Sequence, residues 1–454
     1  MTFQEEIQQA YPDIVILSNP DETLGYSGDY SEQKGLRPKH VIYPSHIDHV
    51  ELILKKANQY AQPIIARGAG TGKAGSVVVT GDEVVVSLEK MNRLIEVDPV
   101  NRVAVVEPGL ITQVLQNEVE KKGLFYPPDP ASLAQCSIGG NVAVNAGGPS
   151  ALKYGVTRHF VIGIEGVFAN GERFSLGGKL HKNVAGYDLL QLLIGSEGTL
   201  AIITKLTLKL LQKPSHQACC MVGFNGPEEA WQWFQLLLAR QVQPSFAEWV
   251  PQVCLDYVSQ YLKTDIQSHP IQLFIGLDAF SEQELLRQKS QLQGLDKGVV
   301  ECQFNSKERP YETIMTIRRD ISPALTAGCR HKVSEDITVP LSEIPRYLAF
   351  LSELNQESQE EILAYGHVGD GNLHVNILNH ERSLEEWQEI YPKTVKRLLL
   401  NAIALGGTIS GEHGVGLSKR EYLPLYINQS ELTLMKQIKA QFDPRHILNP
   451  GKLF

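Results

Sequence analysis

Six residues, Arg67-Gly68-Ala69-Gly70-Thr71-Gly72, follow directly on the apolar run PIIA and constrain the fold more than any other feature. Before them HVIYPS reads as a strand and HIDHVELILKKANQYA as an amphipathic helix, with Ile47, Val50, Leu52, Ile53 and Leu54 near helical spacing. Strand, helix, strand and glycine turn is the order of a βαβ unit. Closely spaced glycines let a backbone turn tightly and aim successive N–H groups at an anion. A diphosphate needs such a cradle, although a glycine-rich turn alone is equally compatible with a plain turn. The segment is no dinucleotide fingerprint, because G-x-G-x-x-G and a following helix are absent. It is no P-loop either, since Ala74 follows Lys73 where Ser or Thr is required.

Two further glycine-rich segments follow. One runs from Pro127-Pro128-Asp129-Pro130 through Ser137-Ile138-Gly139-Gly140-Asn141 to Asn145-Ala146-Gly147-Gly148. The stretch from Tyr126 to Tyr154 is too long for a plain connector, and long loops in compact domains are usually functional. Small side chains permit close approach of a flat ligand, and Asn amides can donate and accept in its plane. The other segment is Gly186-Tyr187-Asp188 followed by Gly195-Ser196-Glu197-Gly198-Thr199-Leu200. Strand-like runs (GDEVVVSL, RVAVVEP, VIGIEGVFA, AIITKLTLKLL) surround them, and ITQVLQNEVEKKG reads as a helix. Three such segments in one domain point to an extended cofactor.

At 454 residues the chain exceeds the roughly 250–300 residues of one core, so two domains are expected. The expected division is a lead-in over 1–36, a cofactor domain over 37–214, a substrate domain over 215–420 and a C-terminal segment over 421–454. Beyond Lys213-Pro214, ACCMVGF and IQLFIGLDA alternate with PEEAWQWFQLLLARQ and SEQELLRQKSQLQG, which suggests α+β architecture with an antiparallel sheet. The net charge of −9 offers no footprint for nucleic acid. None of the six cysteines forms C-x-x-C, so no thiolate zinc site or iron–sulfur cluster is signalled. The polar N-terminus and the lack of a run of about 20 apolar residues lead us to expect a cytoplasmic protein, with attachment to the inner face of a membrane left open.

The second domain carries the other chemical signal. In Tyr365-Gly366-His367-Val368-Gly369-Asp370-Gly371-Asn372-Leu373-His374, two histidines flank a glycine turn, and Ser410-Gly411-Glu412-His413-Gly414 follows. A lone His is more often structural, but glycines clear space around these. Two imidazoles and a carboxylate suit Zn, Mn, Fe or Co with positions open for a substrate. A chelating 2-hydroxy acid would be oriented and acidified there, with His413 taking the hydroxyl proton.

RGAGTG, PPDPAS, SIGGNVAVNAGG, GYDL and GSEGTLAIIT, in this order, resemble the FAD-binding domain of the vanillyl-alcohol oxidase and p-cresol methylhydroxylase families. With HVGDGNLH and GEHG, the likeness runs from Arg37 to Phe454. Within that superfamily it is most similar to the glycolate oxidase flavoprotein subunit and the FAD-dependent D-lactate and D-2-hydroxyglutarate dehydrogenases. The resemblance implies an α+β fold: a two-part PCMH-type FAD-binding domain, then an α+β substrate (cap) domain, with the C-terminal segment returning to the FAD domain. It implies non-covalent FAD held by Arg67, Gly68, Ala69, Gly70, Thr71, Gly72, Pro128, Asp129, Ser132, Ser137, Gly139, Gly140, Asn141, Asn145, Gly147, Gly148, Gly155, Glu197, Gly198, Ile202 and Asn449. It implies a divalent metal, Zn or Mn, on His367, His374 and Glu412, His413 as base, Asn376 beside the substrate, and Arg318 and Lys332 on its carboxylate. By composition alone those two cations read as solvated charges. Ser322 stands where some relatives carry Thr. The implied reaction is oxidation of a small D-2-hydroxy acid to the 2-oxo acid, with oxygen, a quinone, a cytochrome or a partner protein taking the electrons. A homodimer or a hetero-oligomeric complex is compatible with this. The alternatives are an alkyl-transfer flavoenzyme of the ether-lipid synthase type and a flavoprotein subunit of a larger glycolate oxidase complex.

Overall fold

Runs of β-branched residues build the first sheet. Val41–Tyr43, Val84–Ser87 and Ile64–Arg67 lie side by side in parallel, with Val15–Leu17 antiparallel at the edge. Helix Ile47–Tyr60 makes the crossover, burying Val50, Ile53, Leu54 and Ala57, an i, i+3, i+4, i+7 stripe. Ala61 ends it in the left-handed region at φ 51°. The stripe packs on Ile42, Ile64, Val84 and Val86, so the strand that delivers Arg67 stands on a dry core. This computed structural model describes residues 1–307 and 309–454.

By internal contacts the chain forms two compact units, Met1–Gly147 with Gly155–Lys213 and Glu412–Phe454, and Gly148–Tyr154 with Pro214–Gly411. The first also holds a five-stranded antiparallel sheet, in the order Leu94–Asp98, Val103–Val106, Ala201–Lys209, Val161–Phe168, Arg173–Gly177. The second unit has an antiparallel sheet of Phe246–Pro251, Ile271–Ala279, His216–Phe224 and Val299–Phe304. It has another of His331–Thr338, Asn372–Asn379 and Glu361–Tyr365. The expected α+β class, with an antiparallel sheet in the second part, is what forms. Among the described residues no helix is long and apolar enough to cross a membrane.

Three local expectations change. The lead-in is part of the first unit: Phe3 and Ile7 enter its core and Val15–Leu17 joins its sheet. The glycine-rich 126–154 stretch contains two short helices, Ile138–Val144 and Ala151–Tyr154. Ser137 caps the former by accepting from the Gly140 N–H, and Ile138 and Val142 are buried one turn apart. The second unit ends at Gly411 and includes 148–154, so its limits differ from the expected 215–420. Contacts, unlike composition, can assign a short excursion to a different unit from its flanks.

Candidate functional site

In the first unit the three glycine-rich segments meet. The turn after Ile64–Arg67 carries Gly70 at φ 70°, where a side chain is strained. A Cβ on Gly70 would also lie 2.0 Å from an Arg67 guanidinium nitrogen, so the turn wraps its own arginine. That guanidinium donates to the Gly28 carbonyl at 2.5 Å and lies over the Tyr26 ring. Burial pulls its pKa below the ordinary arginine value, with Glu89 and Asp29 opposing. Gly68 rests on the capped helix: a Cβ there would lie 2.3 Å from Ser137 Oγ. Gly139 is similarly pressed against Pro108.

The remaining contacts continue this surface. Asn145, left-handed at φ 54°, accepts the Arg158 N–H at its Oδ1 and lies near Gly195. The Glu197 N–H donates to the Ala143 carbonyl, and the Asn449 amide donates to the Ser76 and Glu197 carbonyls at 2.9 and 2.7 Å. Gly198 sits beside Asn449, and a Cβ on Gly147 would lie 2.7 Å from Glu412 Oε2. Glu412 and His413 are neighbours in space as in sequence, with Oε1 and Nε2 3.9 Å apart.

Several residues expected at the cofactor also bond or pack within the first unit. The buried Glu197 carboxylate accepts from Ser76 Oγ and from the Val415 and Gly416 N–H groups, at 2.5, 2.8 and 2.9 Å. Burial lifts its pKa, although those three donors pull the other way. Asn141 donates to Thr112 Oγ1 at 2.8 Å. Ile202 is core. Pro128 and Ser132 offer carbonyls to Gln116 and to the Gln135 and Cys136 N–H groups. Asp129 lies half-buried in the same turn. Gly148 and Gly155, at φ 136° and 89°, flank the 148–154 excursion.

In the second unit, strands Glu361–Tyr365 and Asn372–Asn379 form a hairpin over the glycine turn. Gly371 has φ 83°, and a Cβ there would lie 2.2 Å from the Val339 carbonyl. His367 and His374 are both buried, with ring centroids 5.1 Å apart and planes at 80°. Antiparallel register puts His374 opposite Asp336 and Tyr365, and Asn376 opposite Ser334, so these side chains share a face. Asn376 donates to the His374 carbonyl, while its buried Oδ1 accepts nothing among the described residues. Lys332 Nζ donates to the Ser322 carbonyl and hydroxyl, both at 3.0 Å. Arg318 lies over the Tyr365 ring, whose phenol burial pushes up to about 12.

Sequence reasoning missed Glu248 and Asp336. Glu248 accepts from His367 Nδ1 at 2.5 Å and from Arg318 Nε. Burial by itself would raise its carboxyl, but Arg318 and His367 outweigh that and hold it below the usual range. Its one sequence signal is a charge inside the apolar run FAEWV. Asp336 accepts from Asn372, from Ser410 Oγ at 3.1 Å and from the Gly411 N–H at 2.9 Å, and so fixes the residue before Glu412.

A family model for the C-terminal domain of FAD linked oxidases matches residues 213–453, over half of the chain. The chain belongs to the FAD-linked oxidases. A second model, an FAD binding domain, matches residues 38–177. This oxidase is 38% identical to the glycolate oxidase subunit GlcD of Bacillus subtilis over 95% of its own length and 92% of the relative's. It is 36% identical to the D-lactate dehydrogenase of Archaeoglobus fulgidus, over 91% and 90% of the two chains. It is 32% identical to the D-2-hydroxyglutarate dehydrogenase of Stutzerimonas stutzeri, over 97% and 96%. Its fold is that of p-cresol methylhydroxylase, with a TM-score of 0.79 at 16% identity, covering 99% and 96% of the chains.

The first unit suits the family's cofactor. The Ala69, Gly70 and Thr71 N–H groups donate to no acceptor among the described residues, which leaves a row of half-buried donors of a kind that suits an anion. Arg67 Nε and Asn449 Oδ1 are buried and also lack partners among the described residues. Leaving such atoms unsatisfied costs about 1–3 kcal/mol each, which a polar ligand removes.

Proposed function

We propose that this oxidase converts a small D-2-hydroxy acid, of the lactate, glycolate or 2-hydroxyglutarate class, to the 2-oxo acid. The observation that carries the reading is the polar sheet face of the second unit. There His374, Lys332 and an Asn376 oxygen without a donor among the described residues lie on one side of the three-stranded sheet, with His367 beside His374 and Arg318 over the Tyr365 ring. The names of the relatives support the same class.

When bound, FAD accepts the hydride, and a divalent ion, Zn or Mn, acidifies the substrate hydroxyl. His367, His374 and Glu412, the residue that follows the anchored Gly411, would hold that ion. The donor set fits: His367 donates a hydrogen bond from Nδ1–H to Glu248, which would leave Nε2 as the ligating nitrogen. His413 accepts the hydroxyl proton. Arg318 takes the acid's carboxylate, a geometry its planar fork suits, and Lys332 adds a second cation. Asn376 Oδ1 accepts from the substrate hydroxyl. The Ala69–Thr71 amides hold the diphosphate, and the first unit as a whole holds the flavin.

A second reading, a flavoprotein subunit within a larger complex, is favoured by the word subunit in the name of the Bacillus subtilis relative. It bears on the electron acceptor, not on the oxidised acid. An alkyl-transfer enzyme, alkyldihydroxyacetonephosphate synthase, shares the fold at a TM-score of 0.76, but at 19% identity the likeness extends to fold alone. The test is an anaerobic absorbance scan of the flavin-loaded protein with D-lactate, L-lactate, glycolate and D-2-hydroxyglutarate, with and without chelator. We expect one acid of this class to bleach the flavin, and the chelator to slow it. A flavin-loaded protein that none of them bleaches would overturn the assignment.

A further inference from the structure

We propose that Glu248 is a positioning residue that sets the ligating nitrogen of His367 and the orientation of Arg318 together. One buried carboxylate thereby couples cation binding to capture of the acid's carboxylate. The inference rests on the reading of His367 and Arg318 given above.

Glu248 lies in strand Phe246–Pro251, between Ala247 and Trp249, and its side chain has no solvent exposure. Its place beside the histidine turn is set by backbone. The Trp249 N–H donates to the Gly366 carbonyl at 2.7 Å, and the Gly366 N–H donates back to the Trp249 carbonyl at 3.0 Å. This reciprocal pair fixes the register between Glu248 and His367, the residues adjoining it.

The two carboxylate oxygens are divided between two partners. Oε1 accepts from His367 Nδ1 at 2.5 Å, and Oε2 accepts from Arg318 Nε. An ionised carboxylate only accepts, so the nitrogen facing it must carry a proton. In neutral His367 that proton resides on Nδ1 and the lone pair on Nε2. A carboxylate behind a ligating imidazole fixes its tautomer and ring orientation. Arg318 is gripped at the same time. Holding Nε and stacking over Tyr365 fixes the guanidinium plane, while its two terminal nitrogens carry four further N–H donors. If Glu248 served only to neutralise a buried arginine, the tautomer of His367 would be incidental to it.

The experiment uses the flavin-loaded full chain and the isosteric variant Glu248→Gln. A glutamine offers one acceptor oxygen and an NH2 donor, so it cannot accept from both partners. We expect spectra of 15N-histidine in metal-free protein to show the wild-type His367 protonated at Nδ1, the signal being assigned by its loss in His367→Gln. In Glu248→Gln the proton moves to Nε2. Zinc affinity, measured by competition with a chromogenic chelator, falls about 10–100-fold. KM for the hydroxy acid rises about tenfold, while flavin absorbance is unchanged. A wild-type His367 protonated at Nε2 overturns the proposal, as does a Glu248→Gln variant with unchanged tautomer and zinc affinity. If the wild type binds no zinc, the metal reading fails, and the tautomer spectra still decide what Glu248 does.

Discussion

His413 and His49 show how burial and neighbours give one residue type opposite tasks. His413 adjoins Glu412, and both side chains are only slightly exposed. As the proposed base it should be dispensable for the flavin but not for turnover. His413→Ala is expected to keep full flavin absorbance and lower kcat about 10²–10⁴-fold; unchanged turnover would remove it from the mechanism. His49 sits in the first unit under Tyr11 and His46, almost wholly buried. Burial lowers its pKa from 6.5 and His46 adds to this, with Asp13 and Asp48 opposing. A depressed folded-state pKa means the unfolded chain binds the proton first. The stabilising contribution of His49 is therefore present above about 6.5 and is lost as pH falls through the folded value. We expect the melting temperature of the wild type to drop more steeply from pH 7 to pH 5 than that of His49→Gln; parallel profiles would contradict this.

At the level of elements, the site depends on how closely the Arg67–Gly72 turn approaches helix Ile138–Val144. Gly68→Ala places a methyl group 2.3 Å from Ser137 Oγ, an overpacking that costs about 1–3 kcal/mol. Lower flavin retention and a lower melting temperature are expected. Adding Ser137→Ala should recover flavin binding in part, because the next nearest atoms, in Gly140, are 3.5 Å away, less about 1 kcal/mol for the lost cap. Full flavin retention in Gly68→Ala would show that the turn can move aside. The turn itself was legible in the sequence, because strand, amphipathic helix and strand each follow their own period. The helix behind it was not. Gly139 and Gly140 lie inside Ile138–Val144 against their intrinsic preference, and the Ser137 cap with burial of Ile138 and Val142 stabilises it. Strand Val15–Leu17 is three residues long and gains its meaning from pairing with Val41–Tyr43.

At the scale of the whole molecule, the first unit is built from three separated stretches of chain. Its last stretch is structural. Leu448 bridges to Ile64, the Asn449 amide spans the Ser76 and Glu197 carbonyls, and Glu197 takes the Val415 and Gly416 N–H groups. A chain ending at Gly411 is therefore expected to lose its flavin and to unfold at lower temperature, while a co-expressed 412–454 segment restores part of the absorbance. Stoichiometric flavin in the truncated chain would refute that dependence. The sequence by itself determined the fold class, the family and the three glycine-rich segments, because turn geometry and periodicity are local properties that one stretch of chain can display. It pointed equally to His367, His374, Glu412 and His413, since glycines around paired ligands are also a local pattern. Only the tertiary structure decided that Glu248 stands behind His367 and Arg318, that Asp336 anchors Gly411, that Glu197 accepts from the Val415 and Gly416 N–H groups, and that Asn141 donates to Thr112. Each of these is a hydrogen bond between residues far apart in the chain, and donor and acceptor carry no sequence mark of each other until folding removes the water that would otherwise satisfy both.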